Sequence, residues 1–166
     1  MRIGLLSDTH GYLDPRIIEY FDDCDEVWHA GDFGDSIADE LKRFKNVRGV
    51  YGNIDGQKIR SQFPEELFFK CEDLKIYMIH IGGSPGHYYP QAKKGIELNR
   101  PAIFICGHSH ILKVMRDQKY NLLYMNPGAA GKHGFHKMRT ALRFTIARDK
   151  VENLEAIELG LRDSVS

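Results

Sequence analysis

Five short blocks hold side chains whose types suit metal chemistry: Asp8-Thr9-His10, Gly31-Asp32, Gly52-Asn53, His80 and Gly107-His108-Ser109-His110. Four histidines, two aspartates and one asparagine offer nitrogen and oxygen donors without a thiolate. That mixture suits Mn²⁺ first, with Ni²⁺, Zn²⁺, Fe²⁺ or Mg²⁺ as alternatives, in an open site that also binds water. The layout reads as a two-metal hydrolytic centre. An aspartate flanked by tight loops can bridge two ions, and Asp32 fits that part. Asp8, His10 and His110 then complete the first ion, and Asn53, His80 and His108 the second. Two divalent ions carry four positive charges, of which Asp8, Asp32 and a bridging hydroxide return three. A net positive centre of this kind attracts a phosphate ester, acidifies the bridging water and clamps the attacking and leaving oxygens of an in-line displacement. Asp32, Asn53 and His108 are the expected catalytic residues.

Each block must be carried to one place by the elements before it. Short apolar runs at Ile3 to Leu6, Val27 to His29, Val47 to Tyr51, Leu67 to Phe69, Ile76 to Ile81 and Ala102 to Cys106 predict strands. Asp8, Asp32 and Asn53 follow the first three. His80 ends a later run, and His108 and His110 follow the last. Loops at the carboxyl ends of strands converge on one crevice, so residues distant in sequence can meet. Gly31, Gly52 and Gly107 let the backbone turn where a strand delivers a side chain.

Helices are expected between the strands. Asp14-Pro15 places a cap before a proline at the first helical position, with Ile17, Ile18 and Phe21 on one face. A second helix starts near Ser36 with Ile37, Leu41 and Phe44 inward, and a third runs from about Pro90 to just before Arg100-Pro101. Beyond Gly107 the pattern is of strands alone. Leu142, Phe144 and Ile146 alternate with Arg143 and Thr145, and the carboxy-terminal third is expected to be antiparallel. An alternating first half and a strand-rich second half predict α/β architecture with two packed sheets flanked by helices, rather than a doubly wound Rossmann sheet.

At 166 residues and 42% hydrophobic positions, one domain over residues 1–166 is expected, with a frayed tail over 162–166. The 23 basic and 23 acidic side chains cancel, so no global field draws nucleic acid or an anionic membrane. The apolar start is too short for a signal peptide or a span, which makes the cytoplasm the expected location. Cys24, Cys71 and Cys106 are too scattered for a disulfide framework. Cys106, His108 and His110 form a rival structural-zinc set that lacks a fourth ligand nearby.

The blocks D-T-H-G, A-G-D, G-N-I-D, G-H-S-H and N-P-G resemble the calcineurin-like metallophosphoesterase superfamily, and with the short length they look like its small YfcE-like branch. The resemblance covers roughly Met1 to Ile146. It implies an αββα sandwich, a dinuclear centre and hydrolysis of a phosphomonoester or phosphodiester, the diester preferred. It assigns Asp8, His10, Asp32 and His110 to one metal and Asp32, Asn53, His80 and His108 to the other. Small members often form homo-oligomers. Larger relatives carry a histidine where this chain has Ile54, and that histidine is thought to protonate the leaving group. Its loss implies esters with good leaving groups, or a substitute in His133, His136 or metal-bound water. Ala129 stands where the family's N-P-G segment continues with serine, and Ile81 is inserted between His80 and Gly82.

Several other residues carry weaker expectations. Asp55 reads as a support to the ligands, and His29 as a structural histidine within its strand. His87, Tyr88 and Tyr89 could line the substrate mouth. The run Lys132, His133, His136, Lys137, Arg139 reads as a solvated face or as a grip on a phosphate oxygen. The expected partner is a small phosphate ester, with no membrane and no strong nucleic-acid signal. A protein-interaction scaffold like the retromer subunit of this fold is the competing class, and a nuclease is disfavoured by the neutral charge.

Overall fold

Alternation along the first strand sets up the layers. In β1 (Arg2–Leu6), Ile3 and Leu5 face one apolar cluster and Leu6 another, and Gly4 leaves the flat spot on which the Phe21 ring rests. The computed structural model describes residues 1–163. After β1 come α1 (Arg16–Tyr20), β2 (Glu26–His29), α2 (Ile37–Phe44), β3 (Asn46–Gly49), α3 (Gln57–Arg60), β4 (Glu66–Cys71) and β5 (Leu74–Ile79). A small hairpin of β6 (Gly83–Ser84) and β7 (His87–Tyr88) leads into α4 (Pro90–Asn99). Then follow β8 (Ile103–Ile105), β9 (Leu112–Asp117), β10 (Leu122–Pro127), β11 (Met138–Ala147) and β12 (Lys150–Leu161).

The strands form two five-stranded sheets, ordered β12-β11-β1-β2-β3 and β4-β5-β8-β10-β9. Strands β1, β2 and β3 run parallel, as do β5, β8 and β10. Three apolar clusters correspond to the three interfaces of an αββα sandwich. Ile3, Leu5, Trp28, Leu142, Phe144 and Ile146 of the first sheet meet Met78, Ile103, Ile105 and Met125 of the second. Ile17, Phe21, Ile37 and Leu41 cover the outer face of the first sheet, and Ala92 and Ile96 of α4 cover Tyr77 and Phe104 of the second. Each fully buried large apolar side chain contributes about 2 kcal/mol of transfer free energy. Between the sheets, Trp28 donates its indole N–H to Glu26 at 2.9 Å, and Arg48 answers the same carboxylate at 2.7 Å.

The predicted strands and three predicted helices are present, with differences of detail. Ile18 is 37% exposed, because α1 is a single five-residue turn and only Ile17 and the following Phe21 reach the sheet. Asp14 does hold the helix start, accepting from the Arg16 N–H at 3.0 Å. The carboxy-terminal third is antiparallel except where β10 lies parallel beside β8, a pairing that inserts it into the second sheet. Helix α3 and the β6–β7 hairpin carry no periodic signal long enough to read from sequence. Of the tail, Arg162 is tied by its N–H to the Lys137 carbonyl at 2.8 Å, and residues 164–166 lie outside the described residues. Among the described residues no helix is long and apolar enough to cross a membrane.

Candidate metal centre

Asp8, Asp32 and Asn53 lie just beyond β1, β2 and β3, and His80, His108 and His110 just beyond β5 and β8. The two sheets thus bring the carboxyl ends of their parallel strands together at one end of the sandwich. Turning sharply there strains the backbone. Asp8, His10, Asp32, His108 and His110 all adopt left-handed conformations, with φ of 53°, 46°, 55°, 66° and 60°. Such a conformation costs a non-glycine residue about 1–3 kcal/mol and persists where the surroundings impose it for function. The loops are pinned to each other by main-chain bonds from His10 N–H to the Asp32 carbonyl at 3.1 Å and from Gly107 N–H to the His80 carbonyl at 3.0 Å.

Each aspartate has one oxygen anchored and one aimed at the histidines. Asp8 Oδ2 accepts from the Ser7 hydroxyl at 2.6 Å and the His108 N–H at 3.1 Å. Its Oδ1 lies 3.1 Å from His110 Nε2, 3.8 Å from His80 Nε2 and 3.9 Å from His10 Nε2. Asp32 Oδ1 accepts from the Ile54 N–H at 3.0 Å, while Oδ2 lies 3.3 Å from His80 Nε2 and 3.6 Å from His10 Nε2. Gly52 permits this anchoring, since a β-carbon there would sit 1.9 Å from Asp32 Oδ1. Asn53 Oδ1 faces His80 Nε2 at 3.2 Å and His108 Nδ1 at 3.0 Å.

Two compact donor groups result: Asp8, His10 and His110, and Asp8, Asp32 and His80, with the ligand atoms of each within 4.8 Å of one another. All seven sequence-predicted residues gather here, His108 and Asn53 at the outer edge. The atom shared by the two compact groups is Asp8 Oδ1, while Asp32 Oδ2 reaches His10 on one side and His80 on the other. Among the described residues, Asp8 Oδ1 and His10 Nε2 are buried side-chain atoms without a hydrogen-bond partner. Buried polar atoms left unpaired cost roughly 1–3 kcal/mol each, and a cation between them removes that cost. The donor set therefore fits divalent metal.

The electrostatics agree. Burial pushes the Asp8 carboxyl upward, but His110, His80 and Ser7 outweigh it and hold it below the usual carboxylate range. Burial likewise opposes ionisation of Asp32, and the His80 contact and the Ile54 N–H overcome it. His80 is raised although burial works against its charge, because both carboxylates face it. The same negative field would draw a divalent ion. His10 and His108 are lowered, chiefly by burial, which keeps their imidazoles in the neutral form that ligates metal.

Supporting residues lie close around this centre. Asp55 accepts from Phe33, Gly34 and Gly52 N–H groups at 3.1, 3.0 and 2.8 Å, tying the Asp32 loop to the Asn53 loop. His29 is wholly buried, stacks on Phe33 at 3.7 Å and meets the Thr9 hydroxyl at 2.9 Å; burial pushes its pKa down to about 3. Sequence reasoning misses Ser7, which has no local pattern that reveals its role. Asn126, the first residue of the N-P-G block, donates to the Gly107 carbonyl at 3.0 Å and Ser109 Oγ at 3.1 Å, shaping the His108 loop.

Other expectations divide. Cys106 turns to the Tyr124 hydroxyl at 3.2 Å and joins neither compact donor group, so the rival zinc set is not assembled. Tyr89 lines a cavity beside Asn53 and His80, whereas Tyr88 turns away to bond Asp117 at 2.8 Å. The basic run is not one surface. Arg139 is 1% exposed and donates to Asp14 at 2.8 Å, since its strand position faces the helical layer. His133 packs against His10 with ring centroids 5.0 Å apart, and His136 faces His110.

A sequence profile of the calcineurin-like phosphoesterase superfamily domain matches residues 1–149. The chain belongs to that superfamily. This calcineurin-like chain is 30% identical, over 148 residues, to a phosphodiesterase of Methanocaldococcus jannaschii, covering 77% of itself and 83% of that protein. A solved archaeal phosphodiesterase superposes with a TM-score of 0.76 at 24% identity, covering 96% of this chain and 100% of that one. A Zn²⁺ complex of Vps29 from Entamoeba histolytica superposes with a TM-score of 0.70 at 16% identity, covering 98% of this chain and 100% of that one. These likenesses share the metallophosphoesterase fold.

Proposed function

We propose that this phosphoesterase-family chain is a dinuclear, metal-dependent phosphodiesterase. The observation that carries the reading is the pair of buried, unpartnered atoms, Asp8 Oδ1 and His10 Nε2, inside a ring of carboxylates and imidazoles. Asp8, His10, Asp32 and His110 would hold one ion, and Asp32, Asn53, His80 and His108 the other. When bound, the ions supply Lewis acidity toward the phosphoryl oxygens and an acidified water for in-line displacement. The similarity to an archaeal phosphodiesterase supports a diester as substrate.

The chain's own residues supply position and protons. The strained loops fix the donors before substrate arrives, so little reorganisation remains for the reaction. His108 lies at the exposed edge of the centre, its Nδ1 3.0 Å from Asn53 Oδ1, on the side from which a phosphoryl group would approach. Ile54 carries no proton for the leaving group. Of the two histidine substitutes, His136 has both ring nitrogens engaged, by His110 at 3.2 Å and the Gly131 carbonyl at 2.9 Å. His133, beside His10 and lining the same cavity, is the remaining histidine in place to serve a leaving group, with metal-bound water as the alternative.

The deciding experiment is hydrolysis of aryl phosphate diesters and monoesters by metal-stripped protein, with and without Mn²⁺, Ni²⁺, Zn²⁺ or Mg²⁺, alongside Asp32→Ala. Metal-dependent diester turnover lost in the variant supports the reading. Absence of both turnover and metal uptake would overturn it in favour of a binding scaffold.

A further inference from the structure

Of three cavities that border the metal centre, the one beside His10, Ile54 and Asp55 does not reach Asn53, and the other two, of nearly equal size, are both lined by it. The first of these two, about 470 Å³, passes over His10, His108 and His110 to Ile111 and Phe135, which are 64% and 102% exposed. The second, about 490 Å³, begins at Asn53 and His80 and continues to Ile81 and Tyr89, 37% and 52% exposed. Single exposed apolar side chains are ordinary on a protein surface. Here they stand on both sides of one cluster of metal-binding residues, where a substrate would cover them.

A phosphomonoester has one organic arm, so one of two such cavities would stay filled with water. A phosphodiester held at Asn53 has two arms leaving the phosphorus in different directions. We infer that the substrate is a diester bearing an apolar or aromatic group on each arm, one seated against Phe135 and Ile111 and the other against Tyr89 and Ile81. This inference rests on the phosphodiesterase reading. Arg60, whose guanidinium lies 4.4 Å over the Tyr51 ring in the second cavity, adds a flat cationic surface suited to a planar arm. The neutral net charge is in keeping with recognition of a small ester by contact.

The test compares Mn²⁺-loaded wild type, Phe135→Ala and Tyr89→Ala on bis(4-nitrophenyl) phosphate, methyl 4-nitrophenyl phosphate and 4-nitrophenyl phosphate. Both substituted side chains are largely exposed and outside the ligand set, so Mn²⁺ uptake should equal that of wild type. The expected result is at least tenfold higher kcat/KM for the bis-aryl diester than for the methyl diester in wild type. Each variant should lose at least fivefold on the bis-aryl diester, mainly through KM, and one of them should leave the methyl diester unchanged. Equal wild-type rates on the two diesters, with both variants indifferent, would overturn the two-arm inference and leave the phosphodiesterase reading standing. No metal-dependent turnover of any ester would overturn both.

Discussion

His110 Nδ1 lies 3.2 Å from His136 Nδ1, and His136 Nε2 lies 2.9 Å from the Gly131 carbonyl. A carbonyl only accepts, so the pattern assigns the proton of neutral His136 to Nε2 and leaves its Nδ1 as an acceptor. Burial lowers the His136 pKa, in keeping with the neutral form. His110 then donates from Nδ1, which turns its Nε2 toward Asp8 Oδ1, 3.1 Å away. Metal binding there would displace any proton held between the two atoms. Orienting partners of metal-ligating histidines are typically worth 10–100-fold in affinity or activity. His136→Ala should therefore weaken Mn²⁺ binding by at least tenfold in titration calorimetry while the protein stays folded.

Asp8 couples the site to stability. Its Oδ1 is buried without a hydrogen-bond partner, yet His110, His80 and Ser7 hold the carboxyl below the usual carboxylate range. Because the folded pKa is depressed, the ionised form stabilises the fold at pH 7, and metal-free Asp8→Asn should lose about 1 kcal/mol in urea denaturation. Metal-dependent turnover should fall by at least a hundredfold. A metal-free variant more stable than wild type would count against the stabilising field of the histidines.

Gly52 is the position where a methyl group alone should disable the site. An added β-carbon meets Asp32 Oδ1 at 1.9 Å and the Asp32 backbone nitrogen at 2.4 Å. Because backbone must move, Gly52→Ala should cost about 3 kcal/mol and release Asp32 from its Ile54 anchor. Metal titration and thermal unfolding of the variant check both effects.

Asp14 provides the acid dependence. Arg16 first, and then the buried Arg139, hold its carboxyl far below the usual carboxylate range, outweighing the effect of burial. Because the folded pKa is depressed, the stabilisation is fully present above the unfolded value of about 3.9 and is lost as pH falls below it. Asp14→Asn should cost about 3 kcal/mol at pH 7, since the buried Arg139 is left with no carboxylate, only main-chain carbonyls. The gap between variant and wild type should narrow in denaturation curves taken near pH 3.

The thiols offer a check on the packing. Burial pushes Cys24 up to about 11 and Cys106 up to about 12, so both stay protonated near neutrality. Iodoacetamide at pH 8 should label neither in the native protein and both in urea, read by mass spectrometry. Rapid native labelling of Cys106 would show that the β8 end is open.

The order and type of the main strands, and which residues could meet at their ends, are legible in residue patterns alone. Apolar alternation in β11 and the runs before Asp8, Asp32 and Asn53 encode strand faces and endpoints, and parallel strands deliver their following loops to one edge. Glycines at 31, 52 and 107 mark the turns. Which atoms face the centre, and what holds them, follows from how distant segments pack. The loop carrying His133, Phe135 and His136 has no period. Its approach to His10 and His110 depends on Gly131 N–H reaching the Asp8 carbonyl, 3.1 Å away but more than a hundred residues back. Arg139 likewise belongs to the core because Asp14, 125 residues earlier, meets it there. Periodicity reports each residue's side of its own element; contacts between distant segments follow from packing of the whole chain.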